Sequence, residues 1–178
     1  MADNDNEKCV FCMIASKRIP SNPVYEDEAF IAVLDINPAS KGHCLLIPKA
    51  HYNSLYEAPQ NVYLQMMSLA RAIGYALLIS QGATNVDLIY TQELIKGNVT
   101  PHSIIHIIPR YKDDTINYTW QPNKLTKEEL EATANEIKSA IEKVKEGEKP
   151  VEQPPQQKQA PPPPEEKPIQ LDVKPVVF

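Results

Sequence analysis

Two histidines on one strand, His102 and His106, flank an isoleucine where a third imidazole would complete an alternating set: the stretch Gly97 to Arg110 reads GNVTPHSIIHIIPR. Side chains on a strand alternate between faces, so His102, Ile104, His106 and Ile108 share one face and Ser103, Ile105 and Ile107 the other. Imidazoles so placed can bind an anion, carry a proton or attack an electrophile. Ile104 between them can do none of these, because a sec-butyl group has no lone pair. Nearer the start, Cys9-x-x-Cys12 sets two thiols at metal-ligand spacing, which by themselves read as a free pair sooner than as half of a zinc site. Cys44 has no cysteine at suitable spacing and reads as a small buried residue.

The elements that must position these groups follow from periodicity. Ala29 to Asp35 and His43 to Ile47 are short β-branched and apolar runs separated by Asn37, Pro38, Ser40 and Gly42, which predicts two antiparallel strands joined by a turn. Pro59, then Val62, Met66, Leu69, Ile73 and Leu77, then Gly82, predicts an amphipathic helix with a defined start and stop. Gly74 inside it costs about 1 kcal/mol against alanine and permits close packing. Strands resume at Val86 to Thr91 and Ser103 to Ile108. Thr126 with Glu129 forms a capping box that opens a second helix running toward Lys145. Strands, helix, strands, helix is the order of an α+β domain with helices on one side of an antiparallel sheet.

From Cys9 to about Lys112 the segments CVFC, VYEDE, LDINP, GHCLLIPKAH, and GN followed by HSIIHIIPR occur in register. In order and spacing they resemble the cytosolic, zinc-containing members of the histidine triad (HIT) family. The resemblance implies a HIT-like α+β fold, an antiparallel sheet meander with two main helices, assembled as a two-fold dimer. It also implies a purine nucleotide binder, since many members hydrolyse or transfer nucleotidyl groups. In that chemistry the middle histidine attacks the α-phosphorus and holds a covalent nucleotidyl-imidazole, splitting one displacement into two. Ile104 stands at that position. Losing a covalent nucleophile lowers turnover by roughly four to six powers of ten, so the expected product of this sequence is a nucleotide-binding protein without hydrolase activity.

Three further departures surround the same phosphate: Thr91 where the family has asparagine, Asn98 where it has glutamine, and Val99 where several members place a polar group. By the same resemblance Asp35 faces the ribose hydroxyls, Phe30, Leu34 and Ile36 surround the base, and His43 supports the triad from a neighbouring strand. Asn98 and His106 would contact the phosphate. Read without the family, Asp35 opens a turn and the apolar residues are core. The resemblance pairs Cys9 and Cys12 with His51 and His102 as ligands of a structural Zn2+, since two thiolates and two imidazoles close a tetrahedron with no open position. Two alternatives stand beside this reading: a slow phosphoramidase or dinucleoside polyphosphate hydrolase using His106, and an adaptor working through its tail.

Composition bounds the rest. With 178 residues, 42% of them hydrophobic, the chain can bury one core,. Residues 150–178 hold nine of the 17 prolines, so the expected division is a folded domain over 1–146 and a proline-rich, disordered tail over 147–178 with Pro161 to Pro164 as a polyproline II segment for a protein partner. A net charge of -5 leaves no basic stripe for duplex nucleic acid,. An odd cysteine number, an acidic first octet and the lack of an apolar run near the roughly 18 residues of a membrane span lead to the expectation of a cytoplasmic protein off the membrane.

Overall fold

The apolar runs flanking the turn pair as expected: strand Phe30–Leu34 lies antiparallel to strand Cys44–Pro48, with Leu34 opposite Cys44 and Phe30 opposite Pro48. A computed structural model describes residues 9–93, 102–119 and 121–147. In chain order the elements are α1 (Val10–Ala15), β1 (Pro23–Glu26), β2 (Phe30–Leu34), β3 (Cys44–Pro48), α2 (Gln60–Gln81), β4 (Asn85–Glu93), β5 (His102–Arg110) and α3 (Lys127–Gly147). The five strands form one antiparallel sheet in the order β1-β2-β3-β5-β4. The first three make a meander. The chain then crosses through α2 to the far edge and returns, so that β5 lies between β3 and β4.

Alternation divides the core into two layers. Phe30, Ala32, Cys44, Leu46, Ile105 and Ile107 pack with Met66, Ala70 and Leu77 of α2. Ile31, Val33, Leu45, Ile47 and Ile104, on the other face, pack with Cys9, Phe11, Cys12 and Ala15. The expectation of helices on one side is therefore corrected: α1 covers the face opposite α2. A six-residue helix is too short to persist by itself, and burial of Phe11, Cys12 and Ala15 against the sheet holds it. Gly82 stops α2 in the left-handed conformation at φ 66°, which glycine adopts without a Cβ clash.

By length and composition alone α2 is long and apolar enough to cross a membrane, a test that the core helix of a soluble protein also passes. Met66, Ala70, Gly74 and Leu77 are buried, while Leu64, Tyr75 and Ile79 are exposed. Arg110 ends β5 by donating to Asp87, Asp114 and the Ile116 carbonyl, which ties β5 and its neighbour β4 to the following loop.

Candidate metal centre and nucleotide face

Four ligand-bearing side chains converge where β3 ends and β5 begins. Cys9 caps α1 at its N-terminus and Cys12 lies in the first turn, three residues on, so both sulfurs face the same way,. His51 follows β3 and His102 opens β5. Their ligand atoms, with those of both thiols, lie within 4.8 Å of one another. Cys9 Sγ is 3.4 Å from His102 Nδ1, Cys12 Sγ is 3.6 Å from the same nitrogen, and Cys12 Sγ is 3.2 Å from His51 Nδ1. Zinc–sulfur and zinc–nitrogen bonds at tetrahedral angles set sulfur–nitrogen edges of about 3.5 Å. The observed spacings fit that figure.

The outer nitrogens fix how the rings face. His102 Nε2 donates to the Pro48 carbonyl at 3.1 Å and His51 Nε2 to Asn53 Oδ1 at 3.2 Å. Both protons thus sit on Nε2, and both Nδ1 lone pairs point at the sulfurs, as metal-ligating histidines require. A hydrogen bond from the neighbouring Cys12 holds the Cys9 thiol far below its usual range, and the same bond, with burial, pushes Cys12 up. Asn53 and the Pro48 carbonyl escape the sequence reading, since a backbone oxygen leaves no compositional signal.

A second convergence joins β2, β3 and β5. Asp35 and His43 face each other across the turn, the Asp35 N–H donating to the His43 carbonyl at 3.0 Å. The Asp35 carboxylate does open the turn, accepting from the Asn37 N–H at 2.8 Å through Oδ1. Its Oδ2 approaches His43 Nδ1 at 3.5 Å. His43 Nε2 lies 2.9 Å from His106 Nδ1. Burial lowers the His43 pKa; Asp35 opposes that shift and His106 adds to it, which favours the neutral ring. The Ala39 N–H donates to His43 Nδ1 at 3.2 Å, which leaves the proton on Nε2, donated to His106 Nδ1. His106, accepting at Nδ1, carries its proton on Nε2 and presents a donor there,.

Ile104 lies between the two imidazoles on β5 with 0% of its surface exposed, inside the apolar layer of Ile31, Val33, Leu45 and Ile47. Directly across the ladder stands Thr91, whose hydroxyl oxygen is buried without a hydrogen-bond partner among the described residues. The other residues read from the sequence are distributed unevenly. Phe30 is buried in the layer against α2, on the sheet face away from Ile104. Leu34 is part-exposed at the end of β2, and Ile36 is 83% exposed in the turn beside Asp35. Asn98, Val99 and the tail from 148 onward lie outside the described residues.

Comparison with known proteins agrees with this arrangement. The HIT domain family matches residues 16–113. The chain is 35% identical over 135 residues to adenylylsulfatase HINT3 of Arabidopsis thaliana, covering 75% of this chain and 67% of that protein. It is 30% identical over 134 residues to adenosine 5'-monophosphoramidase hnt1 of Schizosaccharomyces pombe, covering 75% and 98%. Among solved structures, a zinc-bound histidine triad family protein from Mycobacterium smegmatis is similar at 29% identity with a TM-score of 0.57, covering 76% and 99%. The sheet order, the paired imidazoles of β5 and these matches together place the chain in the HIT domain family.

Proposed function

We propose that this protein is a zinc-stapled receptor for a purine nucleoside monophosphate, or a closely related nucleotide, that does not cleave or transfer it. One observation carries the reading: the side chain between His102 and His106 is a fully buried isoleucine. Nothing at that position can attack phosphorus. The His43–His106 bond supports the same reading, because a His106 that donates from Nε2 suits a phosphate oxygen and lacks the lone pair a nucleophile or base must offer there,. That disfavours slow turnover through His106.

Asp35, with acceptor capacity beyond the Asn37 bond, suits the vicinal hydroxyls of a ribose, and exposed Ile36 and Leu34 offer apolar surface beside it for a base,. Relatives named for adenylylsulfatase and adenosine monophosphoramidase activity point to an adenine nucleotide. Cys9, Cys12, His51 and His102 would hold the Zn2+. When bound, four protein donors leave it no open position, so the ion serves as a structural clamp between α1 and β5.

Titration calorimetry with AMP, run beside a fluorogenic adenosine phosphoramidate assay, tests the reading. AMP binding without fluorophore release is expected. Release by the unmodified chain that disappears in His106→Ala would instead establish catalysis through His106.

A further inference from the structure

The cluster of Cys9, Cys12, His51 and His102 draws half of its donors from one helical turn. Residues three apart on a helix have Cα atoms about 5 Å apart, inside the roughly 4.4–6.8 Å over which two cysteines can be bridged. Cys9 and Cys12 have that spacing: Cys9 caps α1, and the Met13 N–H donates to its carbonyl at 3.0 Å, so the turn that carries Cys12 begins on it. Their sulfurs lie within 4.8 Å of one another, and neither is in a disulfide. Cys44, the third cysteine, is buried in the layer against α2, whereas Cys9 and Cys12 belong to the layer on the other face. The sheet separates it from them.

We propose, resting on the zinc reading of this cluster, that Cys9 and Cys12 are the two halves of a reversible disulfide, formed by hydrogen peroxide, whose closure dismantles the metal site. As ligands both sulfurs are thiolates. Cys12, bonded to the part-buried His51, lies nearer to solvent than Cys9, at 9% against 0% exposed. The Cys12 thiolate attacks one peroxide oxygen, the O–O bond breaks, and the departing hydroxide takes up a proton as water. Cys9 then attacks the Cys12 sulfenic acid: an S–S bond forms, the S–O bond breaks, and a second hydroxide leaves as water. The two sulfurs lose two electrons in all, and the peroxide gains them.

Donor count makes this a switch. Both anionic ligands are lost in one event, and His51 and His102 remain as two neutral imidazoles, short of the four donors a structural zinc takes. The bridge ties α1 only to itself. It closes a four-residue loop, where the intact cluster joins α1 to β5 across 93 positions of sequence, so it cannot replace that link. Helix α1 then keeps its place over Ile104 only through apolar contacts such as those of Phe11 and Ala15.

Hydrogen peroxide added stepwise to the full-length, zinc-loaded chain tests this, with a chromophoric chelator reporting released zinc, a thiol reagent counting cysteines and intact mass reading the product. Zinc release should keep step with the loss of two of the three thiols, the chain should become lighter by two hydrogens, and peptide mapping should join Cys9 to Cys12. Dithiothreitol with added zinc should reverse all of this, and Cys44→Ala should behave as the wild type. A chain that gains oxygen instead, bridges through Cys44, or resists peroxide with its zinc in place overturns the proposal. A chain that takes up no zinc yet forms the Cys9–Cys12 bridge would remove the metal reading and support the disulfide.

Discussion

His43 Nε2 stands 2.9 Å from His106 Nδ1, and the bond between them runs from the buried ring to the half-buried one. Its direction follows from the Ala39 N–H on the far side of His43, which occupies Nδ1 and leaves Nε2 as the donor. His106 is thereby oriented and given a proton-bearing outer nitrogen. On the proposed reading, the pair binds an anion beside a position that carries Ile104 in place of an attacking group.

Removal of that donor should be felt in affinity and hardly in the fold. His106→Ala is expected to weaken AMP binding by about tenfold or more, the loss of one hydrogen bond to a charged oxygen. Calorimetry of the variant beside wild type measures it. Equal affinities would place the nucleotide elsewhere.

The neutral state of His43 carries a pH dependence of known sign. Burial lowers its pKa from an ordinary value of 6.5, so below that value the unfolded chain takes up a proton that the folded chain resists. Stability is therefore fully present above about pH 6.5 and falls as the pH drops toward the lowered folded value. Urea unfolding at pH 8, 7, 6 and 5 should show the decline, and His43→Gln should flatten it.

The thiol and imidazole cluster should bind about one equivalent of zinc, and its loss should loosen α1. Chelation, or Cys12→Ser, is expected to remove the metal and lower the melting temperature by roughly 10 °C or more, as several kcal/mol of folding energy is lost. Elemental analysis with calorimetry checks both. Tryptic cleavage at Lys17 or Arg18 should accelerate in the same samples.

Ile104 and Thr91 face each other across the ladder and should respond in opposite directions. Ile104→Ala opens a cavity in a closed layer and is expected to cost about 2–5 kcal/mol. Thr91→Val replaces a buried hydroxyl that has no partner among the described residues with a methyl of the same shape, and should be neutral or stabilising by about 1 kcal/mol,. Chemical denaturation of the two variants separates them.

Much of the positioning framework was legible because it is periodic or punctuated. Pro59 and Gly82 bound α2, Thr126 and Glu129 mark the start of α3, and alternation along β5 sends Ile104 and Ile105 into different layers. What escaped is tertiary. Strand β1 is short and exposed at each of its four residues, and α1 has too few residues to show a period, so neither announces itself. Alternation alone could not reveal that α1 covers the second face and closes over Ile104. The cysteines and histidines of the metal cluster were named only through family resemblance, because thiols and imidazoles separated by up to 93 residues share no local pattern. Phe30, given to the base by the resemblance, lies by its strand parity in the layer against α2.

Ile104 supplies no attacking group, and a search for a covalent intermediate tests that most directly. Unmodified protein, incubated with a fluorogenic adenosine phosphoramidate, quenched in acid and measured by intact mass, should keep its own mass at every time point while still binding AMP in a parallel titration. A species heavier by one adenylyl group, on His106 or any other residue, would contradict it.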